Sequence, residues 1–341
     1  MKANIKQISE ITGFSAATIS NALNHKKGVN AQTATKILQV AKELGYISET
    51  RITKIKFVIY KRNGLIIDDT PFFSLLIDGI EKECRESGFE IVLGHLNRND
   101  ADYEQQVKRL IHDRSAAVIL LGTELLEEDV EIYKDAGCLF LMLDYWCWDM
   151  SFNGVLINNA DSARMAVDYL IKKGHKEIGY LRGDFRIKAF RSREAGYGIA
   201  LKKAGLPAKR EYVFNLSTTL NGARQDMFAY LEKKPVLPTA FFADNDMIAL
   251  GAMKAFREMG YRIPEDISII GFDDLPFSEI ASPPLTTIRV PNQEMGALAV
   301  KHIVKMIKEN NQIKTKTQVC TNFIERESVR DLQNGEVGYE N

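Results

Sequence analysis

The chain has no net charge to speak of: its 45 lysines and arginines are matched by 45 aspartates and glutamates. Taken whole, it shows no bias toward a polyanionic partner. It also has no apolar run of the ~18 residues that a membrane-spanning helix needs, so none is expected in its 341 residues. Cysteine is scarce. Cys84, Cys138, Cys147 and Cys320 lie far apart without a CxxC pair, which reads as reduced thiols rather than a disulfide framework or metal site. His25, His95, His112, His175 and His302 form no HExxH. GxSxG, GxxxxGK[ST] and a GxGxxG after a strand are absent too. Asp273 and Asp274 are sequence neighbours, not carboxylates opposed across a bond. We therefore expect no enzyme, no cofactor and no metal. The opening MKANIKQISE lacks the apolar core of a signal peptide, so a cytoplasmic protein is expected.

What the chain does have is charge placed unevenly. Residues 1–56 carry nine basic residues against Glu10, Glu43 and Glu49, a balance of +6, which leaves −6 for the rest. A basic head on an acidic body suits phosphate attraction. Within that head, Ile5, Ile8 and Ile11 recur at helical spacing and predict a first helix with one buried stripe. Gly13 permits a tight turn after it, Phe14 fills the angle, and Ser15 is placed to cap a second helix. In that second helix Ile19 and Leu23 point inward, leaving Ala16, Ala17, Thr18, Ser20, Asn21 and Asn24 outside. Such a small polar face buries little area but lets a backbone approach a DNA groove closely. A third helix is expected from Ala31 to Leu44, with Ala34, Ile37, Leu38, Ala41 and Leu44 inward and Gly45 as its stop. Pattern alone fits a helix-turn-helix DNA reader or a three-helix cap that binds nothing; the local charge favours the reader.

From Ile55 the texture becomes alternating strands and helices. IKFVIY, FEIVLGHL, AAVILLG and CLFLMLDY read as strands, separated by helices at PFFSLLIDGIEKECRESG, DYEQQVKRLIHDR and EEDVEIYKDAG. The rhythm then restarts through HKEIGYLRG, EYVFNL, PTAFFAD and ISIIGFDD. Nearly continuous apolar strands imply parallel sheets covered on both faces, and two such doubly wound halves enclose a cleft. Ligands bind at the carboxyl ends of such strands. That rule selects Asp144 with Trp146 and Trp148, Arg193 at a helix opening, Asn245 and Asp246, and Asp273 and Asp274. Carboxylates, an amide and a guanidinium fix a polyhydroxylated ligand, and an aromatic face lies against a sugar ring. Asn245 serves equally well as a helix cap, and the tryptophans as core or interface residues. Asp68, Asp69 and Thr70 are candidate caps for a helix whose Phe72 and Phe73 line the cleft or pack beneath it.

The segments TISNALN, KELGY, DTPFF, NDMIALGA, IIGFDD and PPLTTI, in that order, resemble the LacI/GalR family of bacterial transcription regulators, and the resemblance runs to about Arg330. It implies a helix-turn-helix headpiece on a two-lobed core like periplasmic binding proteins, acting as a repressor under control of a small polar effector. Ala16, Ala17 and Asn21 would occupy base-reading positions, and Asn4, Ser15, Thr18, Ser20, Asn24, Asn30 and Thr33 phosphate-contacting ones. Arg193, Asn245 and Asp273 would be effector contacts, joined by Asp144, Trp146, Phe72 and Phe73 from the cleft reading above. Many members have arginine where this chain has Asn21, which shifts preference from guanine toward adenine. The larger departure is the linker. Only Ile47 to Lys54 separate Tyr46 from Ile55, at most about 26 Å when extended, and ISETRITK offers no leucine for the minor-groove wedge that typical members carry.

The expected organisation is a headpiece at 1–48, a linker at 49–54, a core at 55–330 and a polar tail at 331–341. Lobe 1 would take about 55–158 and 290–320, lobe 2 about 159–288 and 321–330, with crossings near Asn158, Arg289 and Thr321. The tail lacks heptads and is expected to be disordered. Operator DNA, a sugar or sugar derivative, and a second copy of the chain are the expected partners, because one short recognition helix reads few bases. The competing reading is a stand-alone sugar-binding protein with a degenerate headpiece.

Overall fold

The computed structural model describes residues 4–23, 28–44, 52–68, 70–147, 152–309 and 313–333, and divides into two units, Met1–Ile52 and Thr53–Asn341.

The first unit holds helices α1 (Ile5–Thr12), α2 (Ala16–Leu23) and α3 (Ala31–Glu43). Ile8, Ile19, Ala22, Ile37, Val40 and Ala41 form its buried centre, with Ile5, Phe14, Leu23, Val29, Ala34 and Leu44 packed around it. Gly13 ends α1 at φ 74°, and its N–H bonds the Ser9 carbonyl. Two inner-face assignments need correction. Ile11 is 57% exposed, whereas Thr12 is buried. At about 100° per residue, position 12 stays near the azimuth of Ile8 while position 11 swings off the face. In α3, Val40 joins the centre and Leu38 is only half-buried. Asn24 and Gly45 lie outside the described residues.

The second unit contains β1 (Lys54–Lys61), α4 (Phe72–Ser87), β2 (Glu90–Asn97), α5 (Tyr103–His112), β3 (Ala116–Leu121), β4 (Phe140–Leu143) and β5 (Asn153–Ile157). It continues through α6 (Asn159–Lys172), β6 (Ile178–Gly183), α7 (Lys188–Lys203), β7 (Val213–Leu216), α8 (Leu220–Glu232), β8 (Ala240–Ala243), α9 (Asp246–Glu258) and β9 (Ser268–Ile270). It closes with α10 (Pro276–Ile280), β10 (Thr287–Arg289), α11 (Asn292–Glu309), β11 (Lys316–Val319) and β12 (Asn322–Ile324). Lobe 1 is a parallel sheet in the order β11-β5-β4-β3-β1-β2, and lobe 2 a parallel sheet β7-β6-β8-β9. β10 and β12 pair antiparallel. The chain therefore changes lobe after β5, after β10 and between β11 and β12.

Packing follows from strand alternation. Val58 and Tyr60 of β1 and Val118 and Leu120 of β3 share a cluster with Tyr103, Val107 and Leu110 of α5. On α4 and α11 two glycines permit close approach. A Cβ on Gly79 would meet the Gln293 carbonyl at 2.0 Å, and one on Gly296 the Leu76 carbonyl at 2.3 Å.

Several boundaries differ from expectation. The segment EEDVEIYKDAG forms two 3-10 turns, Glu127–Asp129 and Glu131–Tyr133, not an α-helix. Its buried side chains Val130 and Tyr133 are three apart, which a 3-10 turn aligns. α7 begins at Lys188, so Arg193 lies in its second turn rather than opening it. Strand β5 and helix α10 were not anticipated. Thr53 and Lys54 belong to the sheet rather than the linker, since the Thr53 carbonyl already accepts from Glu90 N–H at 2.9 Å; linker residues 49–51 lie outside the described residues. The first tail residues are docked, not loose: Leu332 N–H bonds the Lys173 carbonyl at 2.8 Å and Asp331 pairs with Lys173 at 3.4 Å. Tail residues 334–341 lie outside the described residues, as do Asp69 and Trp148.

Candidate functional site

Each headpiece helix begins on a side-chain cap. Asn4 Oδ1 accepts from Gln7 N–H at 3.0 Å while Gln7 Oε1 accepts from Asn4 N–H at 3.0 Å, a reciprocal capping box. Ser15 Oγ accepts from Thr18 N–H at 3.2 Å, and Asn30 Oδ1 from Thr33 N–H at 2.7 Å. None of the three helices has an acidic residue in its first turn, so no carboxylate of their own offsets their partial positive ends. Ala16 and Ala17 are exposed on α2, while Thr18, Ser20 and Asn21 are half-buried beside them; Asn4 and Asn30 are exposed and Thr33 half-buried. Of the described residues on the face expected to point outward on α2, only Ala16 and Ala17 are exposed.

In the second unit, Phe72, Phe73, Asp144, Arg193, Asn245 and Asp273 line one cavity. Arg193 organises it. Although only 3% exposed, its guanidinium is satisfied by donation to Asn159 Oδ1 at 2.8 Å, the Asp244 carbonyl at 2.5 Å and Asp273 Oδ1 at 3.3 Å. Its flat face lies 3.6 Å from the Phe272 ring centre, a stacked cation. Asp273 comes from lobe 2, and Asp144 from the end of β4 in lobe 1. Thr123 Oγ1 donates to Asp144 at 2.7 Å. Burial raises both carboxyls, Asp273 to about 7 with the charges of Asp246 and Asp144 adding to it, and Asp144 to about 6; Arg193 opposes both shifts. Asn245 caps α9 through Ile248 N–H at 3.0 Å and still borders the cavity.

Trp146 is not among the walls of that cavity. It lines an adjoining chamber with Asp144, Asn158, Lys188, Ser192 and Gln318, and its ring has Lys188 Nζ at 5.0 Å and Lys316 Nζ at 4.0 Å. The two chambers share Asp144, Ile157 and Ala189, and measure about 20 and 140 Å³. Sequence reasoning missed Ile66, Thr123, Ile157 and Phe190 as walls and Asn159 as the brace of Arg193. Thr123 follows β3, so the strand-end rule finds it, whereas Ile157 ends β5, a strand not anticipated from the sequence. Nothing local marks Asn159 or Ile66.

A three-helix head joined to two parallel-sheet lobes around a polar cleft is the architecture of a ligand-responsive DNA-binding regulator. The chain belongs to the LacI family. The pattern of bacterial regulatory proteins of the lacI family matches residues 4–49, and that of the periplasmic binding protein-like domain residues 167–329. The HTH-type transcriptional repressor PurR of Pasteurella multocida (strain Pm70) is 29% identical over 331 residues, covering 96% of this chain and 99% of that one. The ribose operon repressor of Haemophilus influenzae is 27% identical over 334 residues, covering 97% of this chain and all of its own length. Among solved structures, a complex of the transcriptional regulator CelR with cellobiose superposes with a TM-score of 0.73 at 26% identity, over 96% of this chain and 100% of that one. The lac repressor dimer bound to operator and the anti-inducer ONPF shares the fold at TM-score 0.72 and 23% identity, over 97% of this chain and 100% of that one. This protein is accordingly a sequence-specific DNA-binding transcriptional regulator. No helix among the described residues is long and apolar enough to cross a membrane.

Proposed function

We propose that the protein is a cytoplasmic, homodimeric repressor whose operator affinity is set by a small polar effector of the sugar class held between the lobes. The observation that carries this reading is the meeting of Asp144 and Asp273, from opposite lobes, in one cavity with Arg193. Hydroxyls bridging two such carboxylates would couple ligand occupancy to lobe angle. A neighbour of the same fold described as a cellobiose complex supports the sugar class. Chambers of about 20 and 140 Å³ fall short of the ~300 Å³ and upward of small-molecule sites, so the lobes part to admit the effector. Phe72, Phe73, Asn245 and Trp146 complete its contacts.

Residues 1–48 read DNA and 55–330 form the effector-binding core in this proposal. The methyls of Ala16 and Ala17 suit thymine methyl groups and the Asn21 amide suits adenine, which favours an A·T-containing half-site. Exposed Leu75 and Leu93 in lobe 1, and Phe277 and Ile280 in lobe 2, are the surfaces offered for dimerisation. Selection of bound fragments from genomic DNA by the purified protein, repeated with a panel of neutral mono- and disaccharides, tests the reading. A palindrome whose retention changes with one sugar is the expected result. Binding that is unselective and merely fades with salt would overturn it.

A further inference from the structure

Glu124 is fully buried and spends its carboxylate on one loop. Oε2 accepts the amides of Arg62, Asn63 and Gly64 at 2.9, 3.1 and 3.0 Å, and Oε1 those of Ile66 and Ile67 at 3.0 and 3.2 Å. Displacing it would orphan all five donors at once. Arg62 adds a second tie to lobe 1, donating to Asp129 Oδ2 at 2.6 Å and Glu128 Oε1 at 3.0 Å. Gly64 makes the turn at φ 74°, where a Cβ would meet the Asp68 carboxylate at 2.5 Å. The loop is thus fastened to the end of β3.

Its other side belongs to lobe 2. Ile66, 6% exposed, is buried in the cluster of Leu181, Ile187, Phe190 and Leu216. The Leu65 carbonyl accepts from Thr218 Oγ1 at 3.3 Å. Close by in the chain, Glu127 of lobe 1 pairs with Lys188 of α7 at 2.7 Å. Ile66 and Thr70 also wall the inner chamber. A segment held by five amides on one lobe and by an isoleucine in the core of the other resists their separation.

We infer that residues 62–67 form a clasp between the lobes, with Glu124 as the residue that positions it, and that withdrawal of Ile66 from lobe 2 is the step by which the cleft opens. The inference rests on the effector-cleft reading for its role in regulation, but the clasp itself is tested without any effector. Glu124→Gln keeps the shape and loses the second acceptor oxygen; Ile66→Ala keeps the five amide bonds and loses the lobe 2 plug. Amide hydrogen exchange on the full chain is expected to quicken about tenfold or more in Glu124→Gln, both at 62–67 and in lobe 2 at 185–191 and 216–219. In Ile66→Ala the lobe 2 segments quicken while 62–67 stays protected. Quickening confined to 62–67 in the first variant would overturn the clasp. Should Glu124→Gln fail to fold, unchanged lobe 2 exchange in Ile66→Ala overturns it alone. A sugar panel that shifts nothing, with the exchange pattern as expected, would instead remove the effector reading and leave the clasp.

Discussion

Asp144 and Asp273 sit at φ 60° and 111°, conformations that cost a non-glycine residue on the order of 1–3 kcal/mol and collect at functional sites. Their protonation gives the core a defined pH response. Both carboxyls are raised, to about 6 and about 7, from an ordinary value near ~3.9. Between about pH 4 and 7 the folded state therefore holds more protons than the unfolded chain, and their contribution to stability falls as pH rises through that window. His175, whose pKa burial lowers, acts in the opposite sense, so a comparison isolates the cleft: Asp144→Asn should lose part of the decline in Tm between pH 5 and pH 8 expected of the native protein. An equal decline in both would contradict the cross-cleft coupling. Arg193→Met should be worse tolerated, costing about 3–5 kcal/mol in denaturant titration because Asn159 Oδ1, the Asp244 carbonyl and Asp273 all lose their buried donor. The strand-end rule made Asp144, Asn245 and Asp273 legible in the sequence. It could not supply Asn159, the brace of Arg193, because the two are 34 residues apart and Asn159 looks like any helix-opening asparagine.

Elements whose burial is continuous were the easiest to read. β3 and β4 are wholly buried and appear as unbroken apolar runs. β5 is wholly buried too, yet it opens with Asn-Gly, which resembles a turn. Its asparagine is tolerated inside because Asn153 Oδ1 accepts from Thr315 N–H at 2.9 Å, 162 residues away. The misread helix at 127–133 has a related cause: Asp129 is occupied by Arg62 and Arg98, partners that no local window contains. The contact between α4 and α11 gives a sharper prediction. Gly296→Ala places a methyl 2.3 Å from the Leu76 carbonyl, and either the helices separate or the backbone shifts. A loss of about 1–3 kcal/mol is expected from such overpacking, read as a lower urea midpoint. An unchanged midpoint would mean that the helices slide freely.

For the molecule as a whole, the uneven charge separates the two binding events. Operator affinity should fall by a power law as salt rises, since Lys and Arg contacts to phosphate release counterions. Binding of a neutral sugar to the core should barely respond, and isothermal titration at two salt concentrations distinguishes them. Asn21→Ala should cost about 1–3 kcal/mol at its operator base pair and little on unrelated DNA; equal losses on both would assign it to phosphate contact.

The helix starts at Asn4, Ser15 and Asn30 add a further consequence. Each is capped by a neutral side chain and followed by a first turn without an acid, where a free-standing helix gains from a negative charge. The missing charge is one that a phosphate backbone carries. In the proposed operator complex DNA would supply that charge, and the melting of the headpiece should then move to higher temperature as operator is added, by the logarithm of its free concentration, before any effector is considered.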